Sequence, residues 1–203
     1  MRLMIYALLL FTFFVAGVDA NTSTEKQQTS YKPQIFMTEK ELALMIDFTE
    51  PDSLDSWRIT NDGVMGGKSK GQLLWQQGTA IFAGYISLDN NGGFSSVFHP
   101  TALLASELDT VTINVAGDGL TYQLRMIVKL DGYRLAYKHD FNTVAGQKET
   151  LSFKLADFQA SFRGRIISDA PRLQSKEIRE VGFLVTRKVA GAFSLAISSI
   201  SFN

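Results

Sequence analysis

Apolar residues recur at every second position through most of this chain, a spacing that fits extended backbone with one buried face. Leu42, Leu44, Ile46 and Phe48 share one phase, as do Val111, Ile113 and Val115, and then Leu120, Tyr122, Leu124, Met126 and Val128. The pattern returns at Leu151, Phe153 and Leu155, at Val181, Phe183 and Val185, and at Phe193, Leu195 and Ile197. Beyond Ile197 the phase slips to Ile200 and Phe202, which predicts a β-bulge in the last strand. Between these runs lie Asn90-Asn91-Gly92-Gly93, Ala116-Gly117-Asp118-Gly119, Asp131-Gly132, Ala145-Gly146 and Ala190-Gly191, turn chemistry that tolerates positive φ. Short strands separated by such turns predict an all-β, antiparallel sandwich or barrel with very little helix. Thr38-Glu39-Lys40-Glu41 is the one helical signal, a capping box with room only for a short turn.

The first twenty residues follow another rule. Arg2 precedes an apolar run from Leu3 to Ala16, then small residues at Val18 and Ala20, the layout of a secretory signal peptide cleaved after Ala20. That run is shorter than the roughly 20 apolar residues of a membrane-spanning helix, so no stable span is expected after cleavage. Residues 21–34 are rich in Thr, Ser, Gln and Asn and read as a flexible polar linker; residues 35–203 read as a single domain. With 45% hydrophobic residues and no second composition block, one core is expected. The sequence has no Cys, which excludes disulfides, thiol nucleophiles and Cys-ligated metal. Twenty basic residues balance twenty acidic ones, and the leader removes one of each sign, so no long-range positive field draws nucleic acid.

Little of the chemistry forms a signature. Asp62 to Ser69 ends in Gly67-Lys68-Ser69 like a phosphate-binding loop, but Asp62 stands where its first glycine belongs and a strand-like run to Trp75 follows instead of a helix. A tight glycine turn capped by Asp62 is the expectation. His99 and His139 form no metal-binding frame: His99 reads as an edge residue and His139-Asp140 as a polar strand end, with a ligand pair or an acid/base pair as the competing reading; no Gly-x-Ser-x-Gly elbow occurs. Asp62 and Asp118 remain as carboxylates for a weaker, enzymatic alternative. Among the aromatics, Trp75, Tyr133 and Tyr137 are candidates for sugar stacking, the last two flanking Arg134 and Lys138 on a strand that would present them outward, with core or edge packing as the competing reading.

Trp57 to Ser69, then Phe82-Ala83-Gly84, Asn91 to Ser96, Gly117-Asp118-Gly119 with Tyr122, Phe162-Arg163-Gly164, Ile178 to Phe183 and Gly191-Ala192-Phe193 resemble, in order and spacing, the complex I intermediate-associated protein 30 family. The resemblance covers about residues 42 to 202 and is sharpest in Asp-Gly-Val-Met-Gly-Gly-x-Ser. It implies a galactose-binding-like jelly-roll β-sandwich, akin to some carbohydrate-binding modules. It also implies a non-enzymatic binding domain of the assembly-factor or chaperone kind, acting on a protein partner, with carbohydrate binding as the alternative. The secretory leader separates this chain from the mitochondrial members and implies a secreted or periplasmic protein. Family-typical positions fall on Trp57, Asp62, Gly63, Gly66, Gly67, Ser69, Gly92, Gly93, Phe94, Asp118, Arg163 and Gly164. Turns and packing explain the glycines and large aromatics, which leaves Asp62, Ser69, Asp118, Arg125 and Arg163 as ligand- or partner-binding candidates. No cofactor is predicted; a structural calcium is left open without sequence support.

Overall fold

A computed structural model describes residues 44–130, 133–162 and 164–203. The alternation becomes thirteen strands among these residues: β1 (Met45–Asp47), β2 (Arg58–Asn61), β3 (Lys70–Gln76), β4 (Thr79–Ile86), β5 (Phe94–Pro100), β6 (Thr110–Ala116), β7 (Thr121–Leu130), β8 (Tyr133–Asn142), β9 (Lys148–Lys154), β10 (Gln159–Phe162), β11 (Arg165–Ile166), β12 (Ile178–Thr186) and β13 (Gly191–Phe202). Helix among the described residues is confined to 3-10 turns of three or four residues. The capping-box segment at Thr38 to Glu41, Leu42 and the Asp131-Gly132 turn lie outside the described residues.

Two antiparallel sheets form. The six-stranded sheet runs β3-β4-β13-β6-β9, with β1 pairing β13; the seven-stranded sheet runs β11-β10-β8-β7-β12-β5-β2. The all-β sandwich expected from the alternation is what folds. Each buried phase read from the sequence faces the space between the sheets: Tyr122, Leu124, Met126 and Val128 from one side, Val111, Ile113 and Val115 from the other, all at most 3% exposed. On β13 the register with β6 shifts between Ile197 and Ser199, so Phe193, Leu195, Ile197, Ile200 and Phe202 are all buried. This is the bulge predicted from the phase slip: one extra residue returns the later apolar side chains to the core. At the far end of that strand the Phe202 amide donates to the Leu44 carbonyl oxygen at 2.9 Å, and Asn203 exchanges backbone hydrogen bonds with Thr110.

At a fully buried position, deleting a side chain removes both its burial and its contacts. Phe183→Ala should therefore lower unfolding free energy by about 3–5 kcal/mol in urea titration, whereas Thr186→Ala, exposed on the same strand, should stay within about 0.5 kcal/mol of wild type.

Candidate functional site

The Asp62 segment folds locally as a 3-10 turn, Asp62–Met65, closed by Gly66 at φ 88°. Its chemistry points inward. Asp62 is 1% exposed, and its Oδ1 accepts the Ser69 amide at 2.9 Å. Oδ2 accepts the Ser69 hydroxyl, the Gly93 amide at 2.6 Å and the Phe94 amide at 3.4 Å. The Ser69 Oγ in turn accepts the Ser87 amide at 3.0 Å. Burial pushes the Asp62 carboxyl up, but the donors from Ser69, Gly93 and Phe94 together outweigh it and hold the group below its ordinary 3.8. Two glycines make room for this: a Cβ on Gly67 would overlap the Asp62 carboxyl carbon, and one on Gly92 would stand 2.5 Å from Oδ2. Next door, Asn61 Oδ1 accepts the Gly71 amide at 3.0 Å and the Ser95 hydroxyl at 2.6 Å. A strand follows Gly67-Lys68-Ser69, and Lys68 pairs with Asp89 at 3.2 Å, both exposed. The segment is a backbone staple and has no phosphate-loop geometry.

Asp118 is engaged in the same way. Its Oδ1 accepts the Leu120 amide at 3.1 Å and the Tyr122 hydroxyl at 3.0 Å, and its Oδ2 accepts the Ser194 amide at 2.7 Å. The candidates therefore do not converge: Asp62 with Ser69, Asp118 with Tyr122, and Arg125 on the outer face of β7 have separate partner sets. Arg163 and the Tyr133 side chain lie outside the described residues. Tyr137 occupies the inner phase of β8, 1% exposed, its hydroxyl donating to the Pro171 carbonyl oxygen at 2.7 Å. The expected outward row of aromatic and cationic groups therefore splits by phase, with Arg134 and Lys138 outside and Tyr137 in the core. Trp75 faces inward at the edge of its sheet, 36% exposed, with Nε1 donating to the Phe48 carbonyl oxygen at 2.8 Å. Trp57 packs against Phe48 and His99, with ring centroids 5.6 and 5.1 Å away. His139 lies against Phe153 at 4.5 Å, on the opposite phase from Asp140, so the two form no acid/base pair. Among the described residues no three His, Asp or Glu side chains group as metal donors.

The open chemistry lies on the outer face of the seven-stranded sheet. Strand register lines up Arg58, Phe98, Gly182, Arg125, Lys138 and Gln159 in one row across six strands. Gly182 is required there, since a Cβ would overlap the Val97 carbonyl oxygen and stand 2.6 Å from the Phe98 ring. Arg58 and Arg134 sit above that ring at 5.7 and 5.6 Å, and both guanidinium groups donate to one oxygen of Glu180, at 2.7 and 2.6 Å. Beside Gly182, half-buried Arg125 donates through Nε to Gln123 Oε1 at 3.0 Å; among the described residues its two terminal nitrogens have no acceptor. Burial pulls its guanidinium below the ordinary value, opposed by the Asp140 carboxylate. Lys138 donates to Asp140 at 3.0 Å. Of this face, only Arg125 was a candidate by sequence; Gln123 and Lys138 were visible as polar phases, but their adjacency needed the register.

Residues 46–197 match the family described as complex I intermediate-associated protein 30. Among solved structures, the family 11 carbohydrate-binding module of a cellulosomal cellulase of Clostridium thermocellum superposes with a TM-score of 0.61 at 12% identity, covering 79% of this chain and 93% of that one. The family 11 module from the same organism in complex with a β-1,3-1,4-mixed-linked tetrasaccharide gives a TM-score of 0.58 at 12% identity, covering 79% and 94%. An agarase gives 0.50 at 12% identity, over 79% of this chain and 24% of that one. At these identities the likeness is one of fold: a carbohydrate-binding-module type of β-sandwich.

Asp62→Asn would turn one acceptor oxygen into a donor facing amides, and should lower stability at pH 7 by about 2–4 kcal/mol, read by urea unfolding. Because the folded pKa lies below the unfolded one, the charged carboxylate stabilises above the unfolded value, and that contribution is lost as pH falls through the folded value. The gap between wild type and Asp62→Asn should accordingly narrow in the same titration below about pH 4. Gly67→Ala should be destabilised at both pH values, since its clash is steric.

Proposed function

Since the chain belongs to the complex I intermediate-associated protein 30 family, we propose that it is a non-catalytic binding domain, and that its ligand is a carbohydrate held on the outer face of the seven-stranded sheet. The observation that carries this reading is Arg125, half-buried at the centre of that face with two guanidinium nitrogens unused. These nitrogens reach solvent and, among the described residues, point no donor at another group of the face, so a hydroxyl- or carboxylate-bearing ligand supplies acceptors for them. Gln123, Lys138 and Asp140 surround it with the mixed amide, cationic and anionic groups that orient a polar ligand.

The apolar groups of this face argue in the same direction. Phe98, Ile127 and Leu184 are 6%, 5% and 8% exposed and the exposed Ile166 lies at the β11 edge, so a protein partner would find no apolar centre to desolvate. The similarity to a module solved with a tetrasaccharide supports the choice of ligand class. Asp62 and Asp118, the carboxylates of the enzymatic alternative, give their oxygens to main-chain amides. The leader read at residues 1–20 adds an exported location, where polysaccharide is met.

A second reading, a protein partner of the assembly-factor kind, has its own observation on the other sheet. Leu74 and Tyr85 are 48% and 53% exposed on the outer face of β3 and β4, with Ile81 opposite Leu74. Affinity electrophoresis in polysaccharide gels and a glycan array separate the two. The protein should be retarded by at least one glycan, Gln123→Ala/Arg125→Ala should weaken that binding at least about tenfold, and Trp75→Ala should leave it unchanged. A folded protein that binds no glycan, but loses a stoichiometric protein partner on Leu74→Ala/Tyr85→Ala, would establish the second reading instead.

A further inference from the structure

We infer that the ligand of this face is an acidic glycan, a polymer of uronate sugars, whose carboxylates are received by the Arg125 guanidinium with Lys138 beside it and by Lys129 further along β7; this rests on the carbohydrate reading above. The chain as a whole is electrically balanced, with twenty charges of each sign. The face is not. Its outward positions on β2, β7, β8 and β12 carry five cations, Arg58, Arg125, Lys129, Arg134 and Lys138, against two carboxylates, Glu180 and Asp140.

The pairing of these charges shows where the surplus lies. Glu180 serves Arg58 and Arg134 with the same oxygen, and Asp140 serves Lys138. Arg125 and Lys129 have no ion pair among the described residues. The two lie four residues apart on β7 with Ile127 between them, all on the outward phase. Arg125 is moreover half-buried and shares the Asp140 carboxylate with Lys138, so a ligand carboxylate gains more there than beside a fully exposed cation. The Arg125 fork suits two parallel hydrogen bonds to one carboxylate. The aromatic platforms that single-stranded nucleic acid uses are missing from the described part of this face, because Phe98 is covered by the two arginines.

Oligogalacturonate and its methyl ester test the idea, since they are the same sugar with and without charge. Titration calorimetry of the purified protein should show the acid binding at least about tenfold more tightly than the ester at low salt, and the difference shrinking as salt is raised. Arg125→Gln should lose that preference and Arg125→Lys retain part of it, with thermal melting as the check that both are folded. If Arg125→Gln does not fold, Lys129→Gln/Lys138→Gln should still weaken the salt dependence. Equal affinity for acid and ester, or tight binding of a neutral β-glucan alone, would overturn the acidic assignment while leaving carbohydrate binding intact. Poly-glutamate bound as tightly as oligogalacturonate would show a face that reads charge without sugar, and overturn it likewise. Failure to bind any carbohydrate would overturn both readings.

Discussion

Asp62 stands where the chain changes sheets. It follows β2, the edge of the seven-stranded sheet; the chain then crosses to β3 and β4 of the other sheet and returns as β5 beside β2. The carboxylate accepts donors from both ends of that excursion, Ser69 before β3 and Gly93 and Phe94 where β5 begins. Ser69 extends the set to Ser87 just past β4, and Asn61 repeats the device one residue earlier, between β3 and β5. These buried amides need acceptors, because water does not reach them. One ionised side chain satisfies several at once, and charge-assisted bonds are the stronger kind. The flanking glycines follow from this geometry, since side chains at Gly67 and Gly92 would occupy the carboxylate's space.

Cohesion and the proposed recognition thus use different chemistry in different places. Without disulfides, the sandwich relies on its core and on anionic staples at its turns, of which Asp118 is the second. The outer face of the seven-stranded sheet is arranged the other way, with cations in surplus and one of them largely unsatisfied. A carboxylate buried to organise backbone is spent; a guanidinium half-buried on an open face has donors left to give. That contrast separates a motif that looks catalytic in one dimension from a surface able to take a ligand in three.

Most of the fold was legible because burial repeats with period two, and the strand phases read from Tyr122 to Val128 and from Phe193 to Phe202 are the ones the core uses, bulge included. Short strands were harder. β2, β10 and β11 are two to four residues long, too short for an alternation to register. The site was legible only in part. Asp62 and Ser69 were singled out for their functional groups, yet sequence does not show that each oxygen faces a main-chain amide. Tyr137 was grouped with its charged neighbours although phase alone sends it to the other side of the sheet. Arg125 carried a usable signal, a cation alternating with Leu124 and Met126, while Phe98, Gly182 and Glu180 join it through pairings between distant segments.

The bond from the Phe202 amide to the Leu44 carbonyl closes the fold in a further sense. Because β1 and the end of β13 lie side by side in one sheet, the domain's entry and exit points are neighbours. A body of this kind can be spliced into a surface loop of another protein at little loop-closure cost, or permuted by joining its ends and opening it elsewhere. The architecture is that of a cassette, and the face proposed to bind lies on the opposite sheet from both of these ends.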